Sequence, residues 1–137
     1  MSHPWALSFS GLPAFLSYFG VAMLLLLLFG CIYTRLTAHD EFELIRHGKS
    51  AAALALGGSL LAFALPLCSA IVHSASLIDF LIWGVIALVI QIATFFAVRV
   101  FLTNLSQRIS NNEISAGLFV ALTSLSVGAI NAACMTP

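Results

Sequence analysis

The sequence predicts an all-α membrane protein in which four spanning helices form two tandem hairpins in parallel relation, all in one membrane domain covering residues 1–137. Three observations predict it. The chain is 61% hydrophobic and only 7% charged, where soluble domains carry roughly 25% charged residues. Uninterrupted apolar runs occupy residues 11–33, 51–72, 80–102 and 114–135, each close to the roughly 20 residues an α-helix needs to cross a hydrocarbon core about 30 Å thick. No stretch alternates polar and apolar residues in the manner of a barrel strand.

The first run reads as a span rather than a cleaved leader, because Met1 to Ser10 contains no Lys or Arg and the run is long and lacks a small-x-small exit. After it comes RLTAHDEFELIRHGKS, where more than half of the charged residues gather. TAHD fits a capping box with Thr37 as N-cap and Asp40 three residues on. It predicts an interfacial helix over 38–47, ended by Gly48. Phe42, Leu44 and Ile45 would dip into the interface, while Asp40, Glu41, Glu43 and Arg46 would face water or lipid headgroups.

In the second span, Pro66 should bend the helix and free a carbonyl for another partner. Asp79 is placed to cap the third span at its positive end, or to form with His73 a pH-sensitive outer gate. Arg99 would snorkel from the other end of that span to the headgroups or contact a lipid phosphate. SNNE offers a second capping box, with Ser110 as N-cap and Glu113 three residues on, ahead of the fourth span.

Arg35, Arg46 and Lys49 lie in or beside the first loop, and Arg99 and Arg108 beside or in the third. These loops emerge on one side. The positive-inside rule makes that side cytoplasmic and puts both termini outside, in the periplasm. Net charge is zero, so no basic field argues for nucleic acid.

Sliding the first half along the chain until Gly20 meets Gly84 brings Arg35 onto Arg99 and Ala52 onto Ala116, with each pair of spans superposed. Such a shift preserves helix direction, so the expected duplication is of the parallel kind. Ala51, Ala55, Gly58 and Ala62 line one face of the second span, and Gly117, Ala121, Ser124, Gly128 and Ala132 one face of the fourth. Small-residue stripes let helix backbones approach closely in lipid. Two of them exceed what one internal contact needs, which predicts at least a homodimer. The Leu-, Ile- and Phe-rich first and third spans suit the lipid-facing side.

DEFELIRHGKSAAALALGG, ALPLCSAIVHSASLIDFLIWG, Gln91, Arg99 and the ending VGAINAACM together resemble the YjfL-type bacterial inner-membrane family, catalogued as a domain of unknown function. The resemblance covers nearly the whole chain. It implies four spans in two tandem hairpins, and suggests partners among glutathionylspermidine-synthase-like or membrane-stress proteins. Lys49 stands where the family usually has Asn, and His39 where Pro is common.

Several residues could carry chemistry. His39, Glu43 and His47 recur every four residues, a spacing that would hold a divalent metal on one helix face, but the plainer reading is an interfacial helix with two histidines. No cofactor is implied. Gln91 near the middle of the third span, with Ser124 and Asn131 in the fourth, either hydrogen-bonds between helices or lines a polar path toward which Pro66 opens carbonyls. Cys31, Cys68 and Cys134 read as small apolar side chains, a Cys68 to Cys134 disulfide being the alternative.

No enzyme emerges: there is no paired acidic site within the spans and no His beside a nucleophile, and HGKS lacks the earlier glycine and the strand of a phosphate-binding loop. Two functions remain. The first is an oligomeric inner-membrane scaffold or subunit, embedded in the lipid bilayer, whose cytoplasmic residues Asp40, Glu41, Arg46 and Arg99 meet a partner or headgroups. The second is a small channel or carrier with its pathway between protomers.

Overall fold

A computed structural model describes residues 4–37 and 40–135. Within them are seven helices and no strand: α1 (Pro4–Phe9), α2 (Leu12–Leu36), α3 (Glu41–Arg46), α4 (Ser50–His73), α5 (Leu77–Phe101), α6 (Leu105–Ser110) and α7 (Ile114–Cys134). The four long helices are each long and apolar enough to cross a membrane. The order long, short, long occurs twice.

Helix ends fall where the local chemistry puts them. α2 begins with Pro13 in its first turn, where a missing N–H costs nothing. α5 starts earlier than the apolar run because Ser76 is its N-cap. Its hydroxyl accepts from Asp79 N at 3.2 Å, while the Asp79 carboxylate accepts from Ala75 N at 3.0 Å. Asp79 therefore stabilises the start of α5 from its first turn, and Ser76 rather than Asp79 is the cap. His73 bonds within its own helix, its Nδ1 lying 2.9 Å from Ser69 O.

Both expected capping boxes shift. The interfacial helix is shorter than 38–47: it starts at Glu41, with Asp40 as the N-cap accepting from Glu43 N at 3.2 Å. Ala38 and His39 lie outside the described residues. Thr37 instead closes α2, its N–H donating to Tyr33 O. Gly48 ends the unit with φ of +77°, a conformation glycine tolerates without strain. Ser110 ends α6 rather than capping α7, whose N-cap position is Glu113. The cause is the unforeseen α6, which takes up the residues before it and leaves Asn112, at φ of +58°, as the turn.

The bundle pairs like with like. α7 follows α4 in the same direction, since Ala51 meets Gly117, Gly58 meets Ala121 and Ala62 meets Gly128. α2 and α5 also run parallel: Tyr18 pairs with Phe80, Leu25 with Gly84 and Tyr33 with Phe95. α2 packs on α4 and α5, and α5 also packs on α7.

The α4–α7 contact is the tightest. A Cβ on Gly58 would lie within 2.7 Å of Ala121 Cα, and one on Gly117 or Gly128 would strike the carbonyl of Ala51 or Ala62. Only glycine permits this approach, and in lipid such contact supplies the dispersion energy that holds helices together. Each stripe is thus spent on the other within one chain, which removes the surplus that argued for a homodimer. The expected lipid-facing role fits α2, where Leu25, Phe29 and Tyr33 are the buried residues. α5 is two-sided: it buries eight residues including Phe80, Leu88, Gln91 and Phe95 against three other helices, while Ile78, Ile82, Val89 and Val100 on its outer side are exposed where lipid would meet them.

Candidate functional site

The interior holds polar groups at two levels. Near the middle, the ring of Pro66 removes the N–H that would have bonded the carbonyl of Ala62, four residues earlier. α4 continues unbroken through Pro66, which is buried. The freed Ala62 oxygen accepts instead from Gln91 Nε2 on α5 at 3.4 Å, and the backbone of Gly128 closes on the same oxygen from α7. Gln91, Ser124 and Asn131 are all buried, as is Pro66. The structure thus gathers Gln91, Pro66 and the Gly128 stretch at one junction of α4, α5 and α7. The Asn131 Nδ2 has no hydrogen-bond partner among the described residues. Ser69 Oγ donates across the same helix pair to Ala132 O at 2.8 Å.

The second level lies toward the basic end, and sequence reasoning did not assemble it. Tyr33 on α2, Glu41 on α3 and Ser59 on α4 are 0%, 1% and 3% exposed. Phe29 and Phe63 stack at 4.9 Å beneath them, and Phe95 meets Tyr33 edge-on at 4.8 Å. Glu41 was expected to face water or headgroups. The structure buries it, because α3 starts at this residue and folds back on α4. The available signal was a carboxylate directly after the capping Asp40, flanked by a tyrosine and a serine one turn from neighbouring aromatics in two apolar spans.

At the surface of this end, Asp40, Glu43, Leu44, His47, Lys49 and Ser110 line an open groove of 510 Å³ between α3 and the end of α6. Arg46 is exposed. Arg99 is exposed too, but held: it reaches Leu36 O at the C-terminal end of α2 at 3.4 Å and lies 5.8 Å from the Phe95 ring centroid. Asn112 Oδ1 accepts from Ala51 N at 3.1 Å, so the turn before α7 caps the start of α4. Arg108 forks onto Glu113 at 2.7 and 2.8 Å. That hydrogen-bonded pairing holds the Glu113 carboxyl below the usual carboxylate range and raises the Arg108 guanidinium.

The metal-ligand spacing gains nothing from this geometry. His47 Nδ1 lies 2.8 Å from Glu43 O in its own helix, His39 is outside the described residues, and among the described residues no three His, Cys, Asp or Glu side chains group as a metal set. Cys31, Cys68 and Cys134 are free thiols on the outside of the bundle, so Cys68 and Cys134 are not joined.

The family model described as Domain of Unknown Function (DUF350) matches residues 6–135. The chain is 45% identical to the UPF0719 inner membrane protein YjfL of Escherichia coli (strain K12) over 127 residues, covering 91% of this chain and 95% of that protein. The protein of the same description from Escherichia coli O157:H7 gives the same values. Identity to the UPF0719 transmembrane protein YshE of Bacillus subtilis (strain 168) is 31% over 120 residues, 85% of this chain and 89% of that one. No solved structure matches.

Proposed function

The chain belongs to the DUF350 family of multi-pass membrane proteins, and from that premise we propose that it is a non-enzymatic scaffold or subunit of the inner membrane that presents its basic end to envelope or membrane-stress partners. The observation that carries this reading is the filled centre of the bundle. α4 and α7 touch backbone to backbone, aromatic rings pack between α2, α4 and α5, and the freed Ala62 carbonyl already has Gln91 as its partner. A conduit within one chain needs an open, hydrated line of polar groups; the Gln91 junction is closed by packing, which leaves the channel or carrier alternative only a pathway between protomers.

The polar surface suited to a partner is the groove bounded by Asp40, Glu43, His47 and Lys49, with Arg46 and Arg99 nearby in the same basic region. In this reading that end faces the cytoplasm and both termini face outward. Self-association remains part of the proposal. With the stripes spent internally, its contacts fall on the outer face of α2, where Phe15, Phe19, Leu24 and Leu27 are exposed.

Flux through liposomes containing the purified protein tests the proposal. Scaffold function predicts no flux of small cations or polyamines above that of empty liposomes. Flux that Gln91→Leu abolishes at unchanged thermal stability would establish the conduit instead.

A further inference from the structure

The end of the bundle that carries the basic residues holds a further cavity, of about 400 Å³, lined by Arg99, Leu102, Asn104, Leu105, Ser106 and Gln107. It lies where α5 gives way to α6, at the level where a span leaves the hydrocarbon. Its lining is one cation, three neutral hydrogen-bonding side chains and two leucines, with no carboxylate. In the register that lays Arg35 on Arg99, the first half of the chain has Asp40 and Glu43 where Asn104 and Gln107 stand. The acidic side chains that could balance a cation in the first half are therefore replaced by neutral ones here. Among the described residues the Arg99 guanidinium meets the Leu36 carbonyl and the faces of Phe95 and Phe96 but no carboxylate, and Glu113 is taken by Arg108. The bond to Leu36 O uses Nη1, which leaves most of the guanidinium donors for an anion. Beside the cavity, Val100 and Phe101 are each 80% exposed, an apolar surface on the lipid-facing side of α5.

We propose that this cavity binds the headgroup of an anionic phospholipid, with the Arg99 guanidinium on the phosphate, Asn104, Ser106 and Gln107 around the glycerol hydroxyls, and the acyl chains along Val100 and Phe101. Cation and exposed apolar surface are adjacent on one helix, so the ligand that meets both joins an anion to an apolar tail. A free phosphate would use the first and leave the second unmet. A zwitterionic headgroup would bring an ammonium into a cavity with no carboxylate to receive it, whereas the glycerol of phosphatidylglycerol suits neutral amides and a hydroxyl. The volume lies within the roughly 300–1,000 Å³ of small-ligand sites. The inference needs only that the chain lies in a bilayer, and holds for a scaffold or a conduit alike.

The test is thermal unfolding of the purified, detergent-solubilised protein with increasing dioleoyl phosphatidylglycerol, against dioleoyl phosphatidylcholine, sodium phosphate and glycerol phosphate, at fixed pH and ionic strength. A lipid that binds only the folded state raises the midpoint progressively with its concentration. Phosphatidylglycerol should do so, and the other three should not. Arg99→Gln should weaken the apparent affinity for phosphatidylglycerol about tenfold, through loss of a charge-assisted hydrogen bond. Asn104→Gly, which deletes the amide at a position of φ +59° that glycine tolerates, and Gln107→Ala should each weaken it about two- to fivefold. Arg35→Gln removes the same charge from the last turn of α2, away from the cavity lining, and should leave it unchanged. If Arg99→Gln does not fold, the Asn104 and Gln107 variants decide the matter. Equal responses to the two lipids would overturn the proposal, as would a phosphatidylglycerol response that survives the cavity variants. A response that Arg35→Gln weakens as much as Arg99→Gln would overturn it too, by making net charge rather than the cavity responsible. Stabilisation by sodium phosphate equal to that by phosphatidylglycerol would overturn the lipid and leave a site for a free anion.

Discussion

Gln91 donates from Nε2 to the carbonyl of Ala62 at 3.4 Å, and Ala62 stands four residues before Pro66. The side chain of one span thus takes the place of a main-chain donor that proline deleted from another. Gln91→Leu should cost about 1 kcal/mol, the lost bond plus the expense of leaving a buried carbonyl without a donor. Pro66→Ala restores an N–H to Ala62, so in that background the same substitution should cost less. Unfolding free energies of the four proteins in the double-mutant cycle check this, and zero coupling would show that the two residues act independently.

The glycines of the α4–α7 seam separate into those that touch the partner helix and those that do not. Ala at Gly58, Gly117 or Gly128 would press into Ala121 or the carbonyls of Ala51 and Ala62, and should destabilise the bundle by roughly 1–3 kcal/mol through overpacking. Gly20 and Gly57 have nothing within 4 Å of an added Cβ, so Ala there should be neutral or stabilise by up to about 1 kcal/mol through helix propensity. Thermal melts in one detergent distinguish the two groups. Because the seam lies inside the chain, the first group should lose stability even in a monomeric preparation.

The class of fold was legible because lipid imposes long apolar helices on any chain that crosses it, and the four runs could satisfy no other solvent. The stripes of Gly58 and Gly128 were legible too, since small residues at helical spacing signal close approach. Their partner was not: sequence shows that a face is small, not which face it meets, and the two proved to meet each other. Gln91 and Pro66 were visible as separate oddities, and only the fold shows that one supplies what the other lacks. Glu41 defeated the reading because its burial depends on where α3 starts. The competing caps Thr37 and Asp40 both fit the local pattern. Asn112, which caps α4 from far along the chain, left no local signal at all.

Arg108 and Glu113 form a partly exposed, forked ion pair ahead of α7. The guanidinium lowers the folded-state pKa of Glu113, so its contribution to stability is present above the unfolded carboxylate pKa and is lost as pH falls through the lowered folded value. Glu113→Gln should therefore remove a small part of the acid-side loss of stability and leave the neutral region nearly unchanged, since exposed pairs contribute little. Melting temperatures of the two proteins across the acid range, at low and high salt, measure it. An undiminished acid dependence in Glu113→Gln would place that loss in other carboxylates.

All five Lys and Arg residues lie at one end of the bundle: Arg35 and Arg99 in the last turns of α2 and α5, Arg46 and Arg108 in α3 and α6, and Lys49 at the start of α4. The opposite end of the hairpin carries Ser74 to Ser76 and Asp79, with no basic side chain in the turn. Moving cationic loops across an energised membrane is unfavourable, so the basic end should remain in the cytoplasm. In a background where Cys31, Cys68 and Cys134 are replaced by Ala, a cysteine at Ser76 should react from outside with an impermeant thiol reagent. One at Ser50 should react only after the membrane is opened. Both positions are exposed at opposite ends of α4 and its flanking turn, so accessibility to the reagent differs only by side. Labelling at Ser50 but not Ser76 in intact cells would invert the orientation and turn the groove lined by Asp40, Glu43 and Lys49 toward the periplasm.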